Sequence, residues 1–273
     1  MSELFWLFFI VMALEPMLRQ RLLVLLRSRK IMQLQQRRGS RVITLVHRQE
    51  TMRLLGFPLM RYINIDDAEE VIRAIGETAP DAPIDIVMHT PGGLVLAAVQ
   101  IASALRRHPG KVTVFVPHMA MSGGTLIALA ADEIVLAPHA VLGPIDPQVG
   151  GYPAAALAHV VAEKPIAEID DKTLILADIA AKATVQLHRT ATDLLARHMD
   201  AAKAAELAEQ LSKGQWTHDY PIAADQAMEL GLPVRTDLPE EVADLMRLYP
   251  QPMRTMPTVE YGPPPPMPEK GRR

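Results

Sequence analysis

Ser122 is followed by Gly123 and Gly124, and about thirty residues earlier Pro91 is followed by Gly92 and Gly93. A glycine pair lets the backbone bend sharply and brings its N–H groups close to a ligand, with no Cβ in the way. At Pro91-Gly92-Gly93 those N–H groups open a helix, whose dipole adds positive potential. At Ser122-Gly123-Gly124 they stand beside a hydroxyl. A hydroxyl with N–H donors around it suits acyl transfer: the oxygen attacks a carbonyl and the donors hold the oxyanion that forms. Each turn alone has a plainer meaning, because a PGG sequence is commonly a simple turn and serine is a good helix N-cap. Neither turn has the GxGxxG or GxxxxGK[ST] spacing of a phosphate-binding loop.

The elements around the turns give them weight together. Val42 to Val46, Ile84 to Met88, Val112 to Val116 and Glu133 to Leu136 read as short buried strands. Ala68 to Ile75, Leu94 to Arg107 and Thr125 to Ala131 read as helices between them. This alternation implies βαβ units and a mainly parallel sheet. Both glycine turns then lie at the C-terminal ends of successive strands, where open α/β sheets place their sites. Beyond Gly151 the pattern turns helical, over Ala154 to Val161, Leu174 to His198, Ala201 to Leu211 and Ala223 to Leu230.

The stretches HTPGGLVLAAVQIASALRR and VTVFVPHMAMSGGTLIALAADEIVLAPHAVLGPIDPQ resemble the Clp/crotonase superfold. More narrowly, with GPIDPQ and WTHDYPI as the specific marks, the chain resembles the SDH-family (serine dehydrogenase proteinase) Clp-fold serine proteinases. These are relatives of signal peptide peptidase A and of archaeal stomatin-cleaving membrane proteases. The likeness runs from about Arg41 through Tyr249. It implies an α/β fold of repeated ββα units wound into a superhelix, with an N-terminal apolar helix and a C-terminal helical region. It also implies Ser122 as nucleophile, with the N–H groups of Gly93 or Gly92 and of Gly123 as oxyanion hole.

A serine hydroxyl needs a base. In Clp proteases this is a histidine downstream of the serine, but Gly143-Pro144-Ile145-Asp146 occupies the corresponding place here. The signal-peptide-peptidase relatives use a lysine from a later helix, and a desolvated lysine has the depressed pKa such a base requires. Among Lys164, Lys172 and Lys182, the last lies in the small, apolar stretch ILADIAAKATVQL and is the preferred base. Lys164 precedes a proline, and Lys172 follows Asp170 and Asp171, which would raise its pKa. His118 and His139 are near the serine in sequence and are candidate supporting groups. Asp146 either orients a base or holds its loop, and His218 with Asp219 reads as the brace of a turn.

Composition narrows the rest. With no cysteine there is neither a thiol nucleophile nor a disulfide framework. No HExxH is present and the histidines are scattered, so neither a metal nor a cofactor is expected. A net charge of −3 argues against nucleic acid as partner. Charge is nonetheless uneven, because no acidic residue falls between Pro16 and Gln49 while Arg19, Arg21, Arg27, Arg29, Lys30, Arg37, Arg38, Arg41 and Arg48 do. Leu4 to Leu14 is an unbroken apolar run, interrupted by Glu15 and Pro16. Together these features predict a membrane-anchoring helix over residues 1–30, arginines inside, ahead of a cytoplasmic peptidase domain over 31–249 and a proline-rich, disordered tail over 250–273. The expected partners are a polypeptide substrate, membrane lipid and further copies of the chain. Two other readings keep the fold: a crotonase-like acyl-CoA hydratase or isomerase, which would need a glutamate acid/base, and a non-catalytic scaffold at a membrane.

Overall fold

The computed structural model describes the backbone of residues 2–47, 53–54, 57–58 and 61–249. In chain order the elements are α1 (Ser2–Arg38), β1 (Arg41–Val46), β2 (Arg53–Leu54), β3 (Phe57–Pro58), α2 (Ile65–Gly76), β4 (Ile84–His89) and α3 (Val95–Arg107). Next come β5 (Val112–Val116), β6 (Met119–Ala120), α4 (Gly123–Ala128), β7 (Glu133–Leu136), β8 (Val141–Leu142), β9 (Gln148–Val149) and β10 (Tyr152–Pro153). α5 (Ala154–Glu163), α6 (Asp171–Leu195), α7 (Ala201–Ser212), β11 (Ile222–Ala223), α8 (Ala224–Glu229), β12 (Val234–Arg235) and α9 (Glu240–Arg247) complete them.

The main sheet has five strands in the order β1-β4-β5-β7-β12, every neighbouring pair parallel. Each strand joins the edge left by the one before it, so the chain winds in one direction as a superhelix. β4 and β5 are buried at every residue, as strands covered on both faces must be, which is why they read as unbroken apolar runs. Helix α3 covers one face through Ala97, Ala98, Ile101, Ala102 and Leu105, and carries Arg106 and Arg107 at its negative end. The other face holds Val42, Val87, Phe115 and Val135 against Val242, Leu245 and Met246 of α9.

A second, smaller sheet stands at the C-terminal end of the first. β6 pairs with β8 in parallel and β8 with β11 antiparallel, and the bridge Thr90–Ala120 extends the row toward the end of β4. Each turn of the superhelix thus contributes one long strand, one short strand and a helix. The short strands deliver the site.

α1 is one helix on both sides of Glu15 and Pro16, where the apolar run ends; leucine, methionine, alanine and arginine are good helix formers and carry the helix through the proline at the loss of one backbone hydrogen bond. Its last turns pack on the domain. Leu34 is only 2% exposed in the α9-side core, a burial worth roughly 1.5–3 kcal/mol. Several of the basic residues make intramolecular contacts. Lys30 pairs with Asp244 at 2.9 Å, Arg37 with Glu241, and the Arg27 guanidinium lies 4.0 Å over the Tyr249 ring. Arg38 forks onto Asp85, a buried carboxylate of β4 that also accepts from Ser40 Oγ at 2.6 Å. Among the described residues no helix is long and apolar enough to cross a membrane. The side chains of 1–13, and the whole tail over 250–273, lie outside the described residues.

Candidate active site

Ser122 follows β6 at the entry to α4, with φ 50° and ψ −115°, and is the one non-glycine residue with positive φ among those described. This is the sharp strand-to-helix turn that pushes a side chain out of the backbone envelope, and holding it costs on the order of 1–3 kcal/mol. Thr125 fixes the turn from within: its hydroxyl donates to Ala120 O at 2.7 Å and accepts from Gly143 N–H at 3.0 Å. The Pro91-Gly92-Gly93 turn packs directly against it. A Cβ on Gly92, whose φ is 105°, would meet Ser122 Cβ at 2.8 Å. A Cβ on Gly93 would lie 2.3 Å from the Ile63 carbonyl oxygen. Only glycines allow this approach.

The approach brings the two expected donors together. A Cβ position on Gly123 lies 3.6 Å from Gly93 N, and neither Gly93 N–H nor Gly123 N–H donates to a described protein group. Gly92 N–H is engaged with Thr90 Oγ1 at 3.1 Å, which leaves Gly93 as the donor of that turn. Ser122, Gly93 and Gly123 line one cavity of about 300 Å³ together with Tyr62, Val95, Leu126, Leu187, Asp146 and His218.

His218 and Asp146 reach this cavity through the smaller sheet. β6 and β8 run parallel, so the residues after each, Ser122 and Asp146, leave at the same end. β11 runs antiparallel to β8, so the residues before it, His218 among them, come to that end too. His218 Nδ1 lies 2.7 Å from Asp146 Oδ1, and the Asp146 side chain is 3% exposed. Gln148 Nε2 donates to the other Asp146 oxygen at 2.7 Å. The loop is stiffened by Trp216 stacked on Tyr220, with ring centroids 5.2 Å apart and an interplanar angle of 6°. The hydrogen bond to Asp146 raises the His218 pKa above the ordinary imidazole value; burial opposes this, and the charges of Asp146 and Asp219 add to it. With Nδ1 turned to the carboxylate, Nε2 is the nitrogen left for the cavity.

The lysines stand elsewhere. Lys182 is exposed on α6 and paired with Asp178 one turn away. Lys172 is exposed and lines a separate cavity with Tyr152, Leu157 and Asp170, and Lys164 is exposed at the end of α5. None of the three lines the cavity of Ser122. His118 is exposed and meets His89 edge to face at 5.4 Å, and His139 is exposed after β7. Neither lines the cavity. No group of three or more histidine or carboxylate side chains suited to a metal occurs among the described residues.

A profile of ClpP-like SDH-type serine proteinases matches residues 1–273. The chain belongs to that family. Two uncharacterized proteins of Methanocaldococcus jannaschii are similar along their lengths. One is 50% identical over 272 residues, covering 100% of this chain and 95% of the relative. The other is 46% identical over 265 residues, covering 97% and 90%. Among solved structures, the membrane-bound stomatin-specific protease 1510-N aligns at 21% identity with a TM-score of 0.45, over 68% of this chain and 79% of that one.

In this ClpP-like SDH-type serine proteinase the structure brings to the cavity of Ser122 a residue that the sequence reads as the brace of a turn, His218. Its partner Asp146 precedes it by a long stretch of helical chain, and two-residue strands such as β8 and β11 leave almost no periodicity to read. The available signal was the WTHDYPI segment, a polar cluster whose aromatic pair braces it. The glycine turn carries a direct prediction for this proteinase. Gly93→Ala should remove reaction of Ser122 with an alkyl fluorophosphonate and lower the Tm by several degrees, since forcing the residue away from Ile63 costs roughly 1–3 kcal/mol. Labelling at the wild-type rate would show that the turn has no part in the reaction.

Proposed function

We propose that this chain is a membrane-associated serine peptidase that cleaves polypeptides through an acyl-enzyme on Ser122. The observation that carries the reading is the convergence of Ser122, the free Gly93 and Gly123 N–H groups and the His218–Asp146 pair on one cavity. Ser122 Oγ attacks the scissile carbonyl while His218 Nε2 takes its proton. Asp146 keeps Nδ1–H in place and stabilises the imidazolium. The negative oxygen of the tetrahedral intermediate lies between Gly93 N–H and Gly123 N–H. His218 then returns the proton to the leaving amine, and water repeats the sequence in reverse to release the acyl group.

This reading takes His218 as base in place of Lys182, whose exposed, ion-paired ammonium lacks the desolvation that would make it basic at neutral pH. The cavity offers no glutamate for hydratase chemistry among its described lining residues, and a partly exposed serine that shares a cavity with a histidine has little use in a mere scaffold. Membrane association is supported by α1, where Leu14, Leu18, Leu22 and Leu25 form an exposed apolar stripe along one face, with Arg21 and Arg29 beside it. Assembly into a homo-oligomer is supported by Ile175 and Val185, 61% and 69% exposed on α6. Ser122→Ala should eliminate both fluorophosphonate labelling and hydrolysis of an unfolded polypeptide such as casein; cleavage that survives the substitution refutes the assignment.

A further inference from the structure

His47 stands at the end of β1 and is 6% exposed, with both ring nitrogens engaged. Nε2 lies 3.2 Å from Asp67 Oδ2 and Nδ1 lies 2.9 Å from Thr90 Oγ1. A carboxylate only accepts, so Nε2 carries the proton and Nδ1 accepts from the Thr90 hydroxyl. Burial holds the His47 pKa below the ordinary imidazole value, against the pull of Asp67, so the ring is neutral at pH 7. Thr90, fully buried, accepts in turn from Gly92 N–H at 3.1 Å. Asp67 is itself fixed as one half of the capping box that starts α2 with Asn64.

The end of this chain of hydrogen bonds is the peptide next to a reacting group. Gly92 and Gly93, at φ 105° and 156°, occupy backbone space open on all sides to glycine, so nothing in their own side chains stops either peptide plane from turning over. Three contacts bear on those planes. Gly92 N–H is held by Thr90, Gly92 C=O accepts from Ile63 N–H at 2.8 Å, and Thr90 Oγ1 lies 3.4 Å from the same carbonyl oxygen. The Gly92 carbonyl and the Gly93 N–H share one planar unit and point in opposite directions. Holding the carbonyl toward Ile63 therefore aims Gly93 N–H toward Gly123.

We infer that Asp67, His47 and Thr90 form a positioning relay that locks the oxyanion-binding turn in its donating orientation. The inference rests on the reading of Gly93 as an oxyanion donor for Ser122. His47 and Thr90 touch neither substrate nor Ser122 in this role; they act through Gly92.

The test is made on the full-length protein with an alkyl fluorophosphonate, whose phosphonyl oxygen occupies the oxyanion position. Thr90→Val, which keeps the shape and removes the hydroxyl, should lower the maximal labelling rate about 10- to 100-fold, the scale of a misaimed transition-state donor, with the concentration for half-maximal rate little changed. His47→Leu should fall in the same range, and Thr90→Ser should stay within about threefold of wild type because it keeps the acceptor. Amide hydrogen exchange reads the same lock without chemistry. The peptide containing Gly92 and Gly93 should exchange faster in Thr90→Val and at the wild-type rate in Thr90→Ser. Unchanged exchange in Thr90→Val, or a labelling loss that Thr90→Ser shares, overturns the relay. Failure of the underlying reading would look different: the wild-type protein itself would carry no adduct on Ser122, while the exchange comparison would still report on the lock.

Discussion

Replacing His218 by alanine should slow acylation of Ser122 by about four to six orders of magnitude, the loss seen when the base of a serine–histidine pair is removed. Lys182→Ala should leave the rate within about twofold, as an exposed surface substitution does. The contrast follows from placement. His218 lines the cavity of Ser122 with Nδ1 held by a buried carboxylate, while the Lys182 ammonium is in solvent with Asp178 beside it. Second-order labelling rates of the two variants with one fluorophosphonate decide the matter. A large loss in Lys182→Ala with His218→Ala still active would restore the serine–lysine pair and remove histidine from the mechanism.

Asp146→Asn should cost about four orders of magnitude in the same rate, because an amide in place of the carboxylate no longer selects the Nδ1–H tautomer. Its pH dependence carries a second signature. In the wild type the Asp146 hydrogen bond raises the His218 pKa above 6.5, so the rate should climb with pH through a midpoint above that value as the base loses its proton. In Asp146→Asn the midpoint should move down. Stability has the opposite sign. A histidine whose pKa is raised on folding stabilises the folded state fully below the unfolded value near 6.5, and that contribution fades as pH rises through the raised folded value. The Tm deficit of Asp146→Asn should therefore be greatest below pH 6.5 and shrink above it. A deficit that grows with pH would mean that His218 and Asp146 are not paired as described.

Much of this was legible in the residues. β4 and β5 announced themselves as apolar runs, α3 by its alanine-rich stripe and basic end, and the two glycine turns by their position after strands. An apolar run and a helical periodicity are written in the segment itself, so local sequence carries them. What escaped reading is non-local. The base proposed here, His218, lies in a loop that a row of two-residue strands brings to the end of the sheet where Ser122 stands, and pairing at that length is decided by the surrounding tertiary structure rather than by propensity. The lysine looked better in sequence because its neighbours are small and apolar. On α6 only Ala180 and Leu187 of that stretch are buried; Ile175, Ile179, Ala181 and Val185 are exposed along with Lys182, so nothing there desolvates the ammonium. Part of the basic stretch of α1 has a role that was unreadable for a related reason: the acidic residues that answer Lys30 and Arg37 lie on α9, at the far end of the chain. Pairing of that kind has no signature in the segment itself.

The central claim is that Ser122, His218 and the Gly93 and Gly123 N–H groups act on one carbonyl. A crystal structure of the protein after reaction with an alkyl fluorophosphonate tests it most directly. The account predicts phosphorus bonded to Ser122 Oγ, the phosphonyl oxygen about 3 Å from both Gly93 N and Gly123 N, and His218 Nε2 within hydrogen-bond reach of the ester oxygen. An adduct on another residue, or a lysine ammonium in the place assigned to His218, would contradict it.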